Sequence, residues 1–261
     1  MRPSLRRLGG GTRRALTLLG GVASLYGRFL WTTARMRRLP KRLIGKIALN
    51  QFRFTGLQAL PLIAGIAALI GAVTIIQSVR VLTGLRDDLI GTLLVSIVVR
   101  ELGPLITAVI VIGRSGTAMA TELGSMRLNG EIEALQAHRI DPTDYVVFPR
   151  VHGAVVSMLA LIVVFDVMGI LGGLAIAVMV RDVSFVLLEH RVMESLTNLD
   201  VALSVAKAVL FGQAVAVLSC FCGLRVRKSP TELPQAVTKA VVLSLGAVFL
   251  IDSLLAAAFY L

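Results

Sequence analysis

Arg100 and Glu101 stand side by side inside an apolar run, in the stretch VRELGP from Val99 to Pro104. An ionised side chain on a membrane helix costs roughly 3 kcal/mol or more unless it is paired or faces a wet cavity, so such residues are functional candidates. Two uses are open to this pair. In one, the charges snorkel or are satisfied by neighbours and serve assembly alone. In the other, they face a cavity open to water or to a polar lipid headgroup. Gly103 and Pro104 follow at once and loosen the helix, which favours the second use. Neighbouring residues on a helix point about 100° apart, so Arg100 and Glu101 do not both face one cavity, and one of them should meet an adjacent helix or a second copy. Asp166 and Asp252 are two more carboxylates placed within apolar segments.

Other chemistry lacks residues to carry it. There is no nucleophile paired with a base and no Walker A loop, so this chain cannot hydrolyse ATP by itself in the P-loop manner and is not expected to be an enzyme. His138 is one of three histidines, none with a second at ligand spacing, so neither a metal site nor a cofactor is expected. Cys220 and Cys222 have a single residue between them in an apolar segment. They read as packing residues rather than as a redox pair.

The elements that must position the charged pair are membrane helices. The 261 residues are 56% hydrophobic and 16% charged, with a mean hydropathy of +0.84, outside the range of an ordinary soluble domain. Apolar runs reach the roughly 20 residues a helix needs to cross a bilayer, and no alternating pattern suggests a barrel. Crossings are expected at Thr55 to Val79 with Pro61 as a possible kink, at Leu89 to about Met119, and at Val151 to Val180. Two more are expected at Val201 to Leu224 and Ala236 to Leu261. Small residues at Ala64, Gly65, Ala68 and Gly71, and the Gly169/Gly173 spacing, offer faces for close helix approach, and these faces suggest a dimer.

The net charge of +12 does not point to nucleic acid, because the basic residues are not interleaved with aromatics. Thirteen of the 27 Lys and Arg lie between Arg2 and Arg53, ahead of the first long apolar run. Further basic residues gather in alternate loops, which puts the N-terminus, residues 114 to 150 and residues 225 to 239 in the cytoplasm. From Ala15 to Met36 apolar residues recur at helical spacing with Ser24, Arg28, Thr32 and Arg35 opposite and Trp31 near the end. That pattern suits an amphipathic helix lying in the interface. A twin-arginine or secretory signal at Arg13-Arg14 is the weaker alternative, since Gly20 and Gly21 interrupt its apolar core. The expected organisation is a basic N-terminus with its interfacial helix over 1–46, then a membrane domain over 47–261.

Between the second and third crossings the chain offers a short helix. Asn129 is placed to cap it, Glu131 and Glu133 fall in its first turn, His138 and Arg139 in its last, and Asp141-Pro142 stops it. Leu128, Ile132 and Leu135 line one side, free to dock on a partner or on the chain's own membrane domain.

Three submotifs, VRELGP, GRSGTAMATELGSMR and EIEALQAHRIDP, occur in order at Val99, Gly113 and Glu131, and here the sequence resembles the MlaE (YrbE) permease family of lipid-transporting ABC systems. The likeness extends over nearly the whole chain, with the Arg-rich start and Asn129-Gly130 as departures. It implies an all-α integral membrane protein, with an N-terminal interfacial helix, five transmembrane helices and a cytoplasmic coupling helix between the second and third. It implies a homodimer in the bacterial inner (plasma) membrane, bound to a cytoplasmic P-loop ATPase and an MCE-domain lipid-binding protein, moving phospholipids or related lipids between membranes. The lipid pathway would involve Glu101, supported by Arg100, Gly103 and Pro104. ATPase coupling would fall on segment 122–142, with Glu122, Arg127, Leu128, Glu131, Ile132, Leu135 and Asp141. The alternatives are an ion- or proton-coupled secondary transporter using Glu101, Asp166 and Asp252, and a membrane scaffold without transport. The absence of an inverted repeat weighs against the first.

Overall fold

The computed structural model describes residues 20–22, 24–27, 49–81, 92, 94–181, 190, 192–227 and 229–260. Among the described residues, five helical stretches are long and apolar enough to cross a bilayer: Leu49–Ser78, Val95–Leu128, Thr143–Met179, Asn198–Leu224 and Glu232–Phe259. The chain is a multi-pass, all-α membrane protein, and no strand occurs among the described residues. We label the helices α1 (Leu60–Val81), α2 (Val95–Leu128), α3 (Glu131–Ala137), α4 (Phe148–Arg181), α5 (Asn198–Leu224) and α6 (Glu232–Tyr260). The basic N-terminus, the boundary at 46/47, the loop with Arg86 to Asp88 and most of the 15–36 helix lie outside the described residues. Within that last segment, 20–22 and 24–27 are helical, and the Tyr26 hydroxyl donates to Gln213 Oε1 at 2.8 Å.

Prolines explain where the regular helices begin. Pro61, Pro104 and Pro149 each occupy the second residue of an α-helical stretch, where a missing N–H is tolerated. Each is preceded by a wider, π-type turn: Arg53–Leu57, Val95–Leu102 and Thr143–Val147. A proline gives the carbonyl four residues back no donor, and a wider turn lets the chain run on without a full break. Pro61 therefore starts α1 rather than kinking its middle.

The second crossing runs on to Leu128 instead of ending near Met119. Polar residues there do not break it, because their hydroxyls bond back to the helix: Thr117 Oγ1 to the Gly113 carbonyl at 2.7 Å and Thr121 Oγ1 to the Thr117 carbonyl at 2.9 Å. The third and fifth crossings likewise begin earlier than their apolar runs, at Thr143 and Glu232.

α1 and α4 form the most extensive helix pair. A Cβ on Gly71 would collide with the Gly169 carbonyl, and one on Gly172 with the backbone of Ala68. The Gly169/Gly173 face is thus consumed inside the chain and is not available to a second copy, which corrects half of the dimer argument. Gly65 meets nothing within 4 Å and stays open. A buried core of α1, α2, α4 and α5 side chains, centred on Ile63, Val98, Met158, Phe165 and Phe211, fills the middle.

Gly172→Leu is expected to force α1 from α4 and to cost about 1–3 kcal/mol, the range for overpacking. Thermal unfolding of the detergent-solubilised protein checks this, with Gly246→Ala, where an added Cβ meets nothing within 4 Å, expected to leave the midpoint unchanged.

Candidate functional site

The polar centre sits where α2, α5 and α6 meet. Lys207, whose side chain is only 4% exposed, directs its ammonium to three acceptors: the Arg100 carbonyl at 2.7 Å, Glu101 Oε2 at 3.1 Å and Asp252 Oδ1 at 2.8 Å. The first two are hydrogen bonds and the third is an ion-pair contact. The Arg100 carbonyl is available because Pro104, four residues on, has no N–H to give it. Sequence, backbone break and charge placement are linked at this one atom.

Arg100 turns elsewhere. Its Nη2 donates to Asp200 Oδ2 at 3.2 Å, and its Nε lies 2.6 Å from Asp200 Oδ1 as an ion-pair contact. Asp200 is fixed in turn by the start of α5, where it accepts from the Thr197 N–H at 2.9 Å and the Thr197 hydroxyl at 2.7 Å, closing a capping box. Both members of the Arg100-Glu101 pair therefore reach the same neighbouring helix, at two levels of α5.

Asp166, on α4, lies against the break in α2. Its Oδ1 is buried without a hydrogen-bond partner, and its Oδ2 accepts from Ser204 at 3.4 Å. A Cβ on Gly103 would approach Asp166 Oδ1 to 2.6 Å, so Gly103 is required for this close passage. Glu101 is the most open of the three clustered side chains, at 35% exposure against 4% for Lys207 and 11% for Asp252. The arrangement binds and orients charge at the break in α2. Among the described residues there is no cluster of ligands able to hold a metal.

Sequence reasoning placed Glu101, Arg100, Gly103, Pro104, Asp166 and Asp252 and left out Lys207, Asp200 and Ser204. A signal for them exists: Thr197, Asp200, Ser204 and Lys207 fall on one face of α5 at helical spacing, a polar stripe in an apolar helix.

The segment expected to couple is also resolved. Glu131 and Glu133 occupy the first turn of α3, but Gly130, in a left-handed conformation with φ 77°, precedes the helix, and Asn129 instead closes α2. Arg139, at φ 59°, follows α3 with its N–H bonded to the Gln136 carbonyl and the Ile140 N–H to that of Leu135. Asp141 then accepts from the Thr143 N–H at 2.8 Å and starts the turn into α4. Ile132 is 1% exposed within the chain, and Leu128 and Leu135 are half-buried, so the apolar side of α3 rests on the membrane domain rather than on open surface. An apolar stripe is cheapest to cover with the core beside it. Arg127 pairs with Glu133 at 3.1 Å and Arg150 with Glu122 at 2.8 Å, which ties the segment further.

Comparison with known proteins agrees with this architecture. The family described as Permease MlaE matches residues 48–258. A probable ABC transporter permease protein of Rickettsia felis is 32% identical over 197 residues, covering 75% of this chain and 76% of the relative. A probable ABC transporter permease protein of Synechocystis sp. is 30% identical over 224 residues, covering 85% of each. The intermembrane phospholipid transport system permease protein MlaE of Haemophilus influenzae is 30% identical over 198 residues, covering 75% of this chain and 76% of that one. Five apolar spans, a charged centre at the break in α2 and a family match over most of the length lead to one conclusion: the chain belongs to the MlaE permease family.

Proposed function

We propose that the protein is the permease of an ABC system that moves phospholipid or a related lipid between membranes. ATP hydrolysis takes place in a separate cytoplasmic ATPase, and an MCE-domain protein accepts or delivers the lipid. The observation that carries this reading is the Glu101–Lys207–Asp252 cluster beside Gly103-Pro104: a half-open carboxylate next to a deformable part of a membrane helix. Glu101 meets the polar part of the lipid, Lys207 holds it in register, and Arg100 fixes α2 to α5 through Asp200. The secondary-transporter reading loses support, because Lys207 already engages Glu101 and Asp252, leaving Asp166 as the carboxylate without a cation. The relative from Haemophilus influenzae, whose name includes intermembrane phospholipid transport, supports the lipid as cargo.

In this reading the permease is a homodimer in the bacterial inner membrane with its N-terminus in the cytoplasm. The open side of α1 at Gly65 is the face left for the second copy. Coupling runs through α3: Ile132 anchors the helix to the membrane domain, while Glu131, Glu133 and Ala134, all exposed, meet the ATPase. Motion imposed on that exposed side passes into α2 through Arg127–Glu133.

Three measurements test these assignments. Glu101→Gln should leave the amount of assembled complex unchanged and lower lipid transfer between reconstituted vesicles by about tenfold, the worth of one charged contact; unchanged transfer removes Glu101 from the pathway. Lys207→Met should leave two carboxylates facing each other and cost about 3–5 kcal/mol, the range for breaking a buried pair, whereas adding Asp252→Asn should recover much of it. Ala134→Arg should abolish co-purification of the ATPase with normal permease yield, while Ile132→Asp should lower the yield itself.

A further inference from the structure

At the end of the domain that carries α3, the fold leaves a cleft that the lipid-pathway cluster does not use. It opens between the Leu49–Leu57 segment, the last turns of α2 and the turn Thr143–Val147, and it has two lobes. A lobe of about 540 Å³ carries the apolar side chains of Leu49, Met126 and Val146. A lobe of about 760 Å³ is the more polar of the two, with Gln51, Gln58 and Thr121 beside Phe54 and Ala118. Arg53, Glu122 and Arg150 border both lobes.

Arg150 decides what the cleft accepts. It is 7% exposed, its Nη2 pairs with Glu122 at 2.8 Å, and its Nη1 is buried with no hydrogen-bond partner. Leaving a charged donor buried and unmade costs more than a neutral one, so an acceptor from outside the chain relieves it. Glu122 is a loose partner, its side chain 60% exposed, and Arg53 has no carboxylate partner among the described residues. Behind the polar lobe, Arg114 donates to Gln58 at 2.6 Å, lies 5.4 Å over the Phe54 ring and has a second buried nitrogen without a partner. Two guanidinium groups against one displaceable carboxylate favour an anion, and the guanidinium fork fits the oxygens of a phosphate.

We propose that this cleft binds the phosphate of an anionic lipid headgroup, clamped by Arg150 and Arg53 after Glu122 swings aside, with the acyl part on the apolar lobe. A lipid rather than free phosphate is indicated because that lobe adjoins the charges and because Phe54 and Leu57, both exposed, flank the same segment. The choice of ligand rests on the lipid-permease reading, and it adds a second site, separate from the Glu101 cluster. Glu122, expected in the coupling segment, then belongs to the same helix as Arg127, so headgroup binding is placed about 1.4 turns from the joint with α3.

The test is native mass spectrometry of the full chain in detergent, titrated with phosphatidylglycerol and without ATPase. Arg150→Gln and Arg53→Gln should each weaken retention of the lipid about tenfold. Glu122→Gln should strengthen it, and Arg227→Gln, an exposed arginine away from the cleft, should change nothing. Retention at wild-type strength in both Arg53→Gln and Arg150→Gln overturns the proposal. So does loss of the lipid on adding excess inorganic phosphate, which would make free phosphate the ligand, or weakened binding in Glu122→Gln, which would make the pair a brace. Should Arg150→Gln fail to fold, the exposed Arg53 variant still decides. The assay reads equilibrium binding by this chain alone, so its failure is distinct from a failure of vesicle transfer with Glu101→Gln.

Discussion

An ammonium group carries three N–H donors and no acceptor, and in hydrocarbon every one of them must find an oxygen. Lys207 answers that demand with hydrogen bonds to the Arg100 carbonyl and to Glu101 on α2 and with an ion-pair contact to Asp252 on α6. Much else follows from it. The carbonyl is that of Arg100, left without a helical donor by Pro104, so the proline and the lysine are two halves of one device. The carboxylates would repel one another without the lysine between them. α2, α5 and α6 therefore converge at a point where none of the three could place its charge alone.

Two kinds of helix contact divide the domain. α1 and α4 meet through Gly71, Gly169 and Gly172 at backbone distance, a contact with no side chain to rearrange and no space for a second packing. The α2, α5 and α6 contact is polar, and Glu101 retains an open face. A rearrangement that spares the glycine pair can only redistribute partners around Lys207. Asp166 stands at the border: it belongs to the rigid α4, yet its free oxygen touches Gly103, the first residue after the wide turn of α2. The rigid pair thus reports directly on the position of the break.

Much of this was legible in the sequence. Length and apolarity located all five spans, and the Arg100-Glu101 pair pointed to the right helix and to the proline that opens it. What escaped was relational. Lys207 was left out because its partners lie at positions 100, 101 and 252, which sequence separation hides. The stripe Thr197, Asp200, Ser204 and Lys207 was there to be seen, at a spacing that marks one face of α5. Helix ends were misjudged for a different reason: hydropathy falls at Arg114 and Glu122, yet Arg114 donates to Gln58, Glu122 pairs with Arg150, and the Thr117 and Thr121 hydroxyls bond back to the helix, so it does not end there. The side of α3 that faces outward was likewise undecidable from periodicity, since an apolar stripe fits a partner and the chain's own core equally well.

The length of α2 matters because helical continuity is what relates distant charges. One helix carries Glu101 at the polar centre, Arg114 against Phe54, Glu122 against Arg150 and Arg127 against Glu133, a succession spanning most of the membrane domain. It is not uniformly stiff. Wider turns at Val95–Leu102 and Ile112–Gly116 sit just before and after its apolar middle, and each is a place where one extra residue per turn can be lost or gained without breaking the backbone ladder. A shift at the α3 end would be passed along the regular stretch Thr117–Leu128 as a rigid rod, taken up at Gly113 and Gly116, and passed again by Gly103–Val111 to the break beside Lys207. Ile132, buried in the same domain, prevents α3 from absorbing that shift by swinging free. Under the proposed coupling through α3, continuity with two built-in joints would carry a motion at that end to the charge cluster beside Gly103.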